Sequence, residues 1–168
     1  VSVIMPVYNG EQFLVESINS ILSQSLKNFE FIIINDGSTD GTLNITESFS
    51  DPRIKLINRN KKGLISSLNK GIDIASGKYI TRHDCDDISL MNRLQTQVQF
   101  LDSNPEFVII GSSSILIDAK GKILKFIKSP VSNNQIRWES FLYNPFQHPA
   151  VTMRRSLFID NKLRYNPS

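Results

Sequence analysis

Phe31-Ile32-Ile33-Ile34 is an unbroken apolar run that stops at the turn sequence Asn35-Asp36-Gly37-Ser38. A strand with one wet face alternates apolar and polar residues. One that is apolar at every position needs cover on both faces, the environment of a parallel sheet between helix layers. The flanking segments carry the periods such layers require. Ser2 to Val7 reads as a first buried strand broken at Pro6, followed by the turn Tyr8-Asn9-Gly10. Phe13, Leu14, Ile18, Ile21 and Leu22 then recur at helical spacing. Thr39-Asp40-Gly41-Thr42 offers capping residues for a helix to about Phe49, and Arg53 to Asn58 reads as a short strand. A helix from Leu64 to Ala75 is expected to close on Gly77, with a strand over Lys78–Arg82 and a helix over Leu90–Leu101 after it. This alternation predicts an α/β fold, a Rossmann-like doubly wound and mostly parallel sheet with helices on both faces, to about residue 118.

The remainder has a different texture. Phe107–Ile117 and Lys122–Ile127 read as strands around Ala119-Lys120-Gly121, Asn133–Leu142 as a helix, and Ala150–Met153 as a short strand. No repeat or linker divides the chain, so residues 1–168 are expected to form one domain. At 40% hydrophobic residues it has material for a core. Nineteen Lys and Arg against sixteen Asp and Glu, with no basic block longer than Lys61-Lys62 or Arg154-Arg155, give no sign of a nucleic-acid partner. The mild basicity suits phosphates or peripheral contact with an anionic membrane. Cys85 is the only cysteine, which fits a reducing compartment. No apolar stretch approaches the ~20 residues of a membrane span and no signal peptide is visible, so the expected location is cytoplasmic, with the inner face of the membrane as the alternative. The chain opens at Val1 on its first strand and stops at Asn166-Pro167-Ser168 without a closing element, and is expected to be cut short at its C-terminal end.

The chemistry concentrates at strand ends. Asp84-Cys85-Asp86-Asp87 places three carboxylates in four residues directly after a strand. Such a cluster repels itself unless a solvated turn or a hard divalent cation relieves it, and a cation shared with phosphate oxygens does so well. The alternative is a helix-capping turn. Asp36 ends the apolar run at what would be the same edge of the sheet, where open α/β sheets bind ligands. Its carboxylate there would accept a hydrogen bond from a nucleobase N–H or a ribose hydroxyl, and its turn position suggests that replacing it would weaken binding and spare the fold. Asp-Gly is also an ordinary turn pair. Tyr8 would present its ring at this edge as a stacking platform or as a half-buried turn residue. Glu11 suits a helix N-terminus better than a ligand.

Cys85 lies between acids that disfavour its thiolate, and reads as a small packing residue. The two histidines, His83 and His148, have no zinc-motif spacing. His148, before a short apolar strand and Arg154-Arg155, either neutralises a departing anion or caps the strand. Trp138 reads as core.

In the order Pro6-Val7-Tyr8-Asn9, Asn35-Asp36-Gly37-Ser38, Gly77-Lys78-Tyr79-Ile80 and Asp84-Cys85-Asp86-Asp87, the chain resembles the inverting glycosyltransferases of family 2, with the GT-A fold, over nearly its whole length. Gly63, Asn69, Gly71 and Ala75 fit the helix between the second and third motifs. The resemblance implies a nucleotide-sugar donor, commonly a UDP-sugar, and a saccharide or lipid-linked saccharide acceptor. It implies that Pro6, Val7, Tyr8, Asp36, Gly63, Asp84 and Cys85 line the nucleotide site. Tyr8 would stack near the base, Asp36 would bind it, Asp84 would approach the ribose, and Asp86, with Asp84, would hold Mn²⁺ or Mg²⁺. His148 matches a position near donor or acceptor. No residue matches the family's catalytic base, which is expected beyond Ser168. Cell-surface polysaccharide or lipopolysaccharide synthesis is the family-level expectation. Two other functions stay open: a nucleotide-sugar-binding module without transferase activity, and a sugar-phosphate nucleotidylyltransferase, disfavoured because Tyr8-Asn9-Gly10 lacks a glycine-rich phosphate loop. A dehydrogenase fingerprint is absent from the same turn.

Overall fold

The computed structural model describes residues 1–166; the closing turn expected at Asn166-Pro167-Ser168 includes Pro167 and Ser168, which lie outside the described residues. The chain runs β1 (Ser2–Val7), α1 (Leu14–Leu22), β2 (Glu30–Asp36), α2 (Thr42–Glu47), β3 (Ile54–Arg59), α3 (Leu64–Ile74), β4 (Tyr79–Arg82) and α4 (Arg93–Ser103). Then come β5 (Ile109–Ile110), β6 (Ser114–Ile117), β7 (Ile123–Ile127), α5 (Asn133–Glu139), a 3₁₀ turn at His148–Ala150, β8 (Thr152–Arg154) and α6 (Ser156–Asp160). Six strands form one sheet in the order β3-β2-β1-β4-β8-β5. The first four are parallel, as the apolar runs predict, while β8 runs antiparallel to both β4 and β5.

Alternate residues of the central strands point to opposite faces, so each strand feeds two cores. Val3, Met5 and Val7 pack with Phe31 and Ile33 against Leu14, Ile18 and Ile21 of α1 and Leu94 of α4. Ile4, Ile32 and Ile34 pack against Leu68 and Ile72 of α3 and Phe158 of α6. Helix α3 comes close to the sheet because Gly71 sits over Ile4 and Ile34, where any side chain would collide.

Two local expectations change. Pro6 does not break β1. The Ile4 carbonyl accepts from the His83 N–H on the β4 side, and Pro6, two residues on, faces that side beyond the end of the β1–β4 ladder. Its missing N–H therefore costs no ladder bond. Gly77 does not close α3, which ends at Ile74 with Ala75 as its extended C-cap. A Cβ on Gly77 would lie 2.7 Å from backbone atoms of Val1 and Ser2, so the glycine is needed for close approach to the start of β1.

The expected long strand over Phe107–Ile117 is two pieces. β5 joins the main sheet, and β6 pairs only with β7 in a separate two-stranded hairpin. Helix α5 buries none of its residues, and Trp138, expected in the core, is 70% exposed. The helical period was read correctly, but nothing among the described residues packs on that face.

Candidate functional site

Strand order fixes where a site can form. From β1 the chain moves outward through β2 and β3, then returns to place β4 on the other side of β1. The loops after β1 and β4 therefore diverge, and the crevice between them is the ligand position of open α/β sheets. Pro6 and Val7 are buried in β1 and form its floor. The loop above is laced to the loop after β2. The Asn9 N–H donates to Ser38 Oγ (3.0 Å), the Thr39 N–H to Asn9 Oδ1 (2.8 Å), and the Gly10 N–H to Thr42 Oγ1 (2.9 Å). Glu11 accepts from the Gly41 N–H at the start of α2, the helix-terminus role read from its charge. On the other side Gly10 abuts Cys85, since a Cβ there would lie 3.1 Å from its Sγ. The turns after β1, β2 and β4 thus meet at Tyr8–Gly10.

Asp36 is buried at the end of β2 and directly opposite Arg59 in the β2–β3 register. Its Oδ1 accepts from Arg59 Nε (2.9 Å) and the Lys62 N–H (3.0 Å), and lies 2.8 Å from Arg59 Nη2; Oδ2 accepts from the Gly63 N–H (2.7 Å). Burial raises the Asp36 carboxyl, but donors from Lys62, Arg59 and Gly63 outweigh it and hold the group below its ordinary value. Gly63, at φ +88°, turns the chain into α3. Asp36 therefore clamps the loop from Lys61 to Gly63 as well as facing the edge, so its removal disturbs more than a binding contact. The clamped loop places Lys61 Nζ 3.7 Å from the centre of the Tyr8 ring, which is otherwise exposed. A groove of about 760 Å³ lined by Arg59, Lys62, Gly63, Leu64 and Asn69 adjoins it.

The turn after β4 is wired differently. Arg82 is buried and forks onto Asp84, Nε to Oδ1 and Nη2 to Oδ2, both at 3.0 Å. Asp84 is thereby neutralised from beneath. Asp86 is exposed and has no hydrogen-bond or ion-pair partner among the described residues. Asp87 is partly buried, and burial together with the Asp84 and Asp86 charges pushes its carboxyl up to about 6. Cys85 is raised to about 11 by burial and then by the Asp86 and Asp84 charges, so it is a packing residue and no nucleophile at neutral pH. His83 is buried, with Nε2 2.9 Å from Ser17 Oγ, and Ser17 Oγ also donates to the Asp84 carbonyl. Burial, and then the Arg93 charge, lower His83 to about 3, so it stays neutral and ties the acidic turn to α1.

Sequence reasoning placed His148 near this edge without a partner. Its Nδ1 lies 2.7 Å from Arg82 Nη1. A guanidinium only donates, so Nδ1 is the acceptor and the imidazole proton sits on Nε2. Burial, and then the Arg82 charge, hold the ring below its ordinary pKa. Tyr165 meets it edge-on at 6.2 Å. Arg82 and Arg59 were missed as organisers. Arg82 shares a strand face with Asp84 at i, i+2, a readable signal, whereas Arg59 becomes visible only through register.

A divalent cation fits the acidic turn in charge. The turn holds carboxylate repulsion that is only partly offset, with Asp86 free to ligate. Among the described residues no three His, Cys, Asp or Glu side chains form a cage, so most ligands would come from substrate and water, as is usual for Mg²⁺ at phosphates.

Residues 2–160 match the model of "Glycosyl transferase family 2". An uncharacterized glycosyltransferase of Haemophilus influenzae is 38% identical over 99% of this chain and 55% of its own length, and the putative glycosyltransferase EpsE of Bacillus subtilis is 42% identical over 94% and 57%. The chain thus spans somewhat over half the length of these curated relatives. Among solved structures, S. aureus TarS 1–349 in complex with UDP-GlcNAc superposes with TM-score 0.80 at 23% identity, covering 98% of this chain and 48% of that one. The mannosyltransferase PcManGT from Pyrobaculum calidifontis, in complex with GDP-Man and Mn²⁺, gives 0.72 at 18% identity, over 98% and 47%. At such identity these structures speak for the GT-A fold, and the family match and curated relatives go further. With the motif order, the strand-end site and these matches in agreement, the chain belongs to glycosyl transferase family 2.

Proposed function

We propose that this chain is the donor-binding part of an inverting glycosyltransferase that moves a sugar from a nucleotide-sugar, a UDP-sugar first, to an acceptor hydroxyl. The observation that carries the reading is the unpartnered Asp86, held on a self-repelling acidic turn at the switch point of the sheet. In this reading Tyr8 stacks on the base, with Lys61 moving off or bridging to phosphate. Asp36 Oδ2 has a single donor, the Gly63 N–H, among the described residues, which leaves it room to accept a base N–H. Asp84, forked by Arg82, faces the ribose more readily than a metal, so Asp86 is the principal ligand for Mn²⁺ or Mg²⁺. Bound there, the cation supplies neutralising charge for the departing nucleoside diphosphate.

His148 presents Nε2–H as a donor toward the same diphosphate, and its Nδ1 lone pair, committed to Arg82, cannot serve as base. The acceptor hydroxyl loses its proton to a carboxylate outside these 168 residues. The acceptor is assigned as a saccharide or lipid-linked saccharide of cell-surface polysaccharide or lipopolysaccharide synthesis, on family grounds alone. Calorimetric titration with UDP, with and without Mn²⁺, tests the core of the proposal: affinity that rises with Mn²⁺ in the parent and fails to rise in Asp86→Ala supports it. Equal Mn²⁺-dependent affinity in both proteins overturns the assignment of Asp86.

A further inference from the structure

Asn69, on α3, lines the groove beside the donor crevice, but its carboxamide is engaged by a residue 96 positions further along the chain. Nδ2 donates to the Tyr165 carbonyl and Oδ1 accepts from the Tyr165 N–H, both at 2.9 Å. A primary amide that meets both backbone groups of one residue acts as a short strand partner, and only one orientation of its oxygen and nitrogen satisfies both bonds. One helical turn on, Asp73 accepts from Arg164 Nε and Nη2 at 3.1 and 2.8 Å. That pair is exposed and adds little stability. The segment so gripped, residues 162–166, has no strand or helix of its own, so Asn69 is what holds the Tyr165 backbone in place.

The Tyr165 side chain reaches the donor site from there. Its ring is half-buried against the core beneath α3 and meets the His148 imidazole at 6.2 Å and an interplanar angle of 82°. The backbone of the His148 turn is held from α4, where Arg93 Nη1 donates to the Pro149 carbonyl and Gln97 Nε2 to the Ala150 carbonyl, each at 2.8 Å. Those bonds fix where the turn lies and do not fix the imidazole, whose outer torsion has a broad minimum. The ring is confined by Arg82 at Nδ1 and by Tyr165. One N–H donor lets a ring pivot about the bond, and the rest of the Arg82 fork is committed to Asp84, so the second wall comes from Tyr165.

We propose that Asn69 is a positioning residue of the donor site: by holding Tyr165 at its backbone, it sets the tyrosine ring against His148 and keeps Nε2–H turned toward the diphosphate. The diphosphate clause rests on the donor-site reading, whereas the run of contacts from Asn69 through Tyr165 to His148 does not.

Imidazole proton–nitrogen correlation NMR and UDP calorimetry test the two parts separately. His83 and His148 are the only imidazoles, and His148→Ala assigns the spectrum. In the parent, His148 is expected as a single tautomer with its proton on Nε2. Asn69→Ala should convert it to a mixture of tautomers, with the His83 signals and circular dichroism unchanged. Tyr165→Leu, which keeps the backbone pair and removes the ring, should do the same, and it decides the matter if Asn69→Ala fails to fold. With Mn²⁺ present, Asn69→Ala should weaken UDP binding by about three- to tenfold, the weight of one neutral hydrogen bond. Added to His148→Ala it should cost less than about twofold, because the two substitutions remove one interaction. A single Nε2–H tautomer retained in both variants overturns the proposal, as does an equal loss of UDP affinity with and without His148. A parent that binds no UDP, with the tautomer changes as expected, overturns the donor-site reading and upholds the positioning of His148 by Asn69.

Discussion

The aspartate turns after β2 and β4 are chemically alike in sequence and opposite in wiring. At the first, one buried carboxylate receives Arg59 and two backbone N–H groups and is held below its ordinary pKa. At the second, Arg82 satisfies Asp84 alone, Asp86 stays bare, and Asp87 is pushed up to about 6. The first turn has its charge compensated within the protein and acts as a clamp, with acceptor capacity left only on Asp36 Oδ2. The second retains repulsion that a cation would discharge, so an acidic motif signals a metal only where its own protein leaves it uncompensated.

The difference can be broken most forcefully at Asp36. Asp36→Ala leaves the partly buried Arg59 without its counter-charge and frees the Lys61–Gly63 loop, with an expected loss of about 1.5–3 kcal/mol in urea unfolding. A loss below about 1 kcal/mol would show that the clamp is not structural. At the other turn, Asp86→Ala should leave stability within about 0.5 kcal/mol of the parent. It should nevertheless lower Mn²⁺-dependent UDP affinity by about tenfold or more, roughly 1.4 kcal/mol, in calorimetry.

The turns should also respond to pH with opposite sign. Asp36 is lowered, so its contribution is present above the ordinary carboxyl range and is lost as pH falls through its folded value. Asp87 is raised to about 6, so the folded state holds that proton more tightly, and stability falls as pH climbs from about 4 to about 6. Asp87→Asn should therefore raise the melting temperature at pH 7 and not at pH 4, an effect of about 1–2 kcal/mol after solvent screening. Equal shifts at both pH values would remove the repulsion from the account. The smallest effect belongs to the Lys61 ammonium over Tyr8: Lys61→Met should cost about 0.5–1 kcal/mol or less in stability. Its effect on UDP affinity, read in the same calorimeter, tells whether the lysine competes with the base or assists the phosphates.

Within the fold, legibility followed the range of the interactions. Phe31–Ile34 announced a strand covered on both faces because burial on both sides writes itself into every position. The acidic run after Arg82 and the turn after Ile34 were legible for the same reason, since strand ends carry their polar residues at fixed offsets. Pro6 and Gly77 were misread because their fit depends on a neighbouring strand: where the β4 ladder stops, and how near the start of β1 lies. Trp138 was misread because a helical period tells which face is apolar and not whether anything covers it.

By itself the sequence determined the parallel α/β layering, the placement of Asp36 and Asp84–Asp87 at strand ends and the family motifs, because these rest on local periodicity and composition. Tertiary structure alone decided that Asp36 is tied to Arg59 across the β2–β3 register and that Arg82 reaches both Asp84 and His148, leaving Asp86 bare. The reason is physical: the charge state and availability of a carboxylate depend on which donors lie within about 3 Å, and those donors arrive from residues distant in the chain.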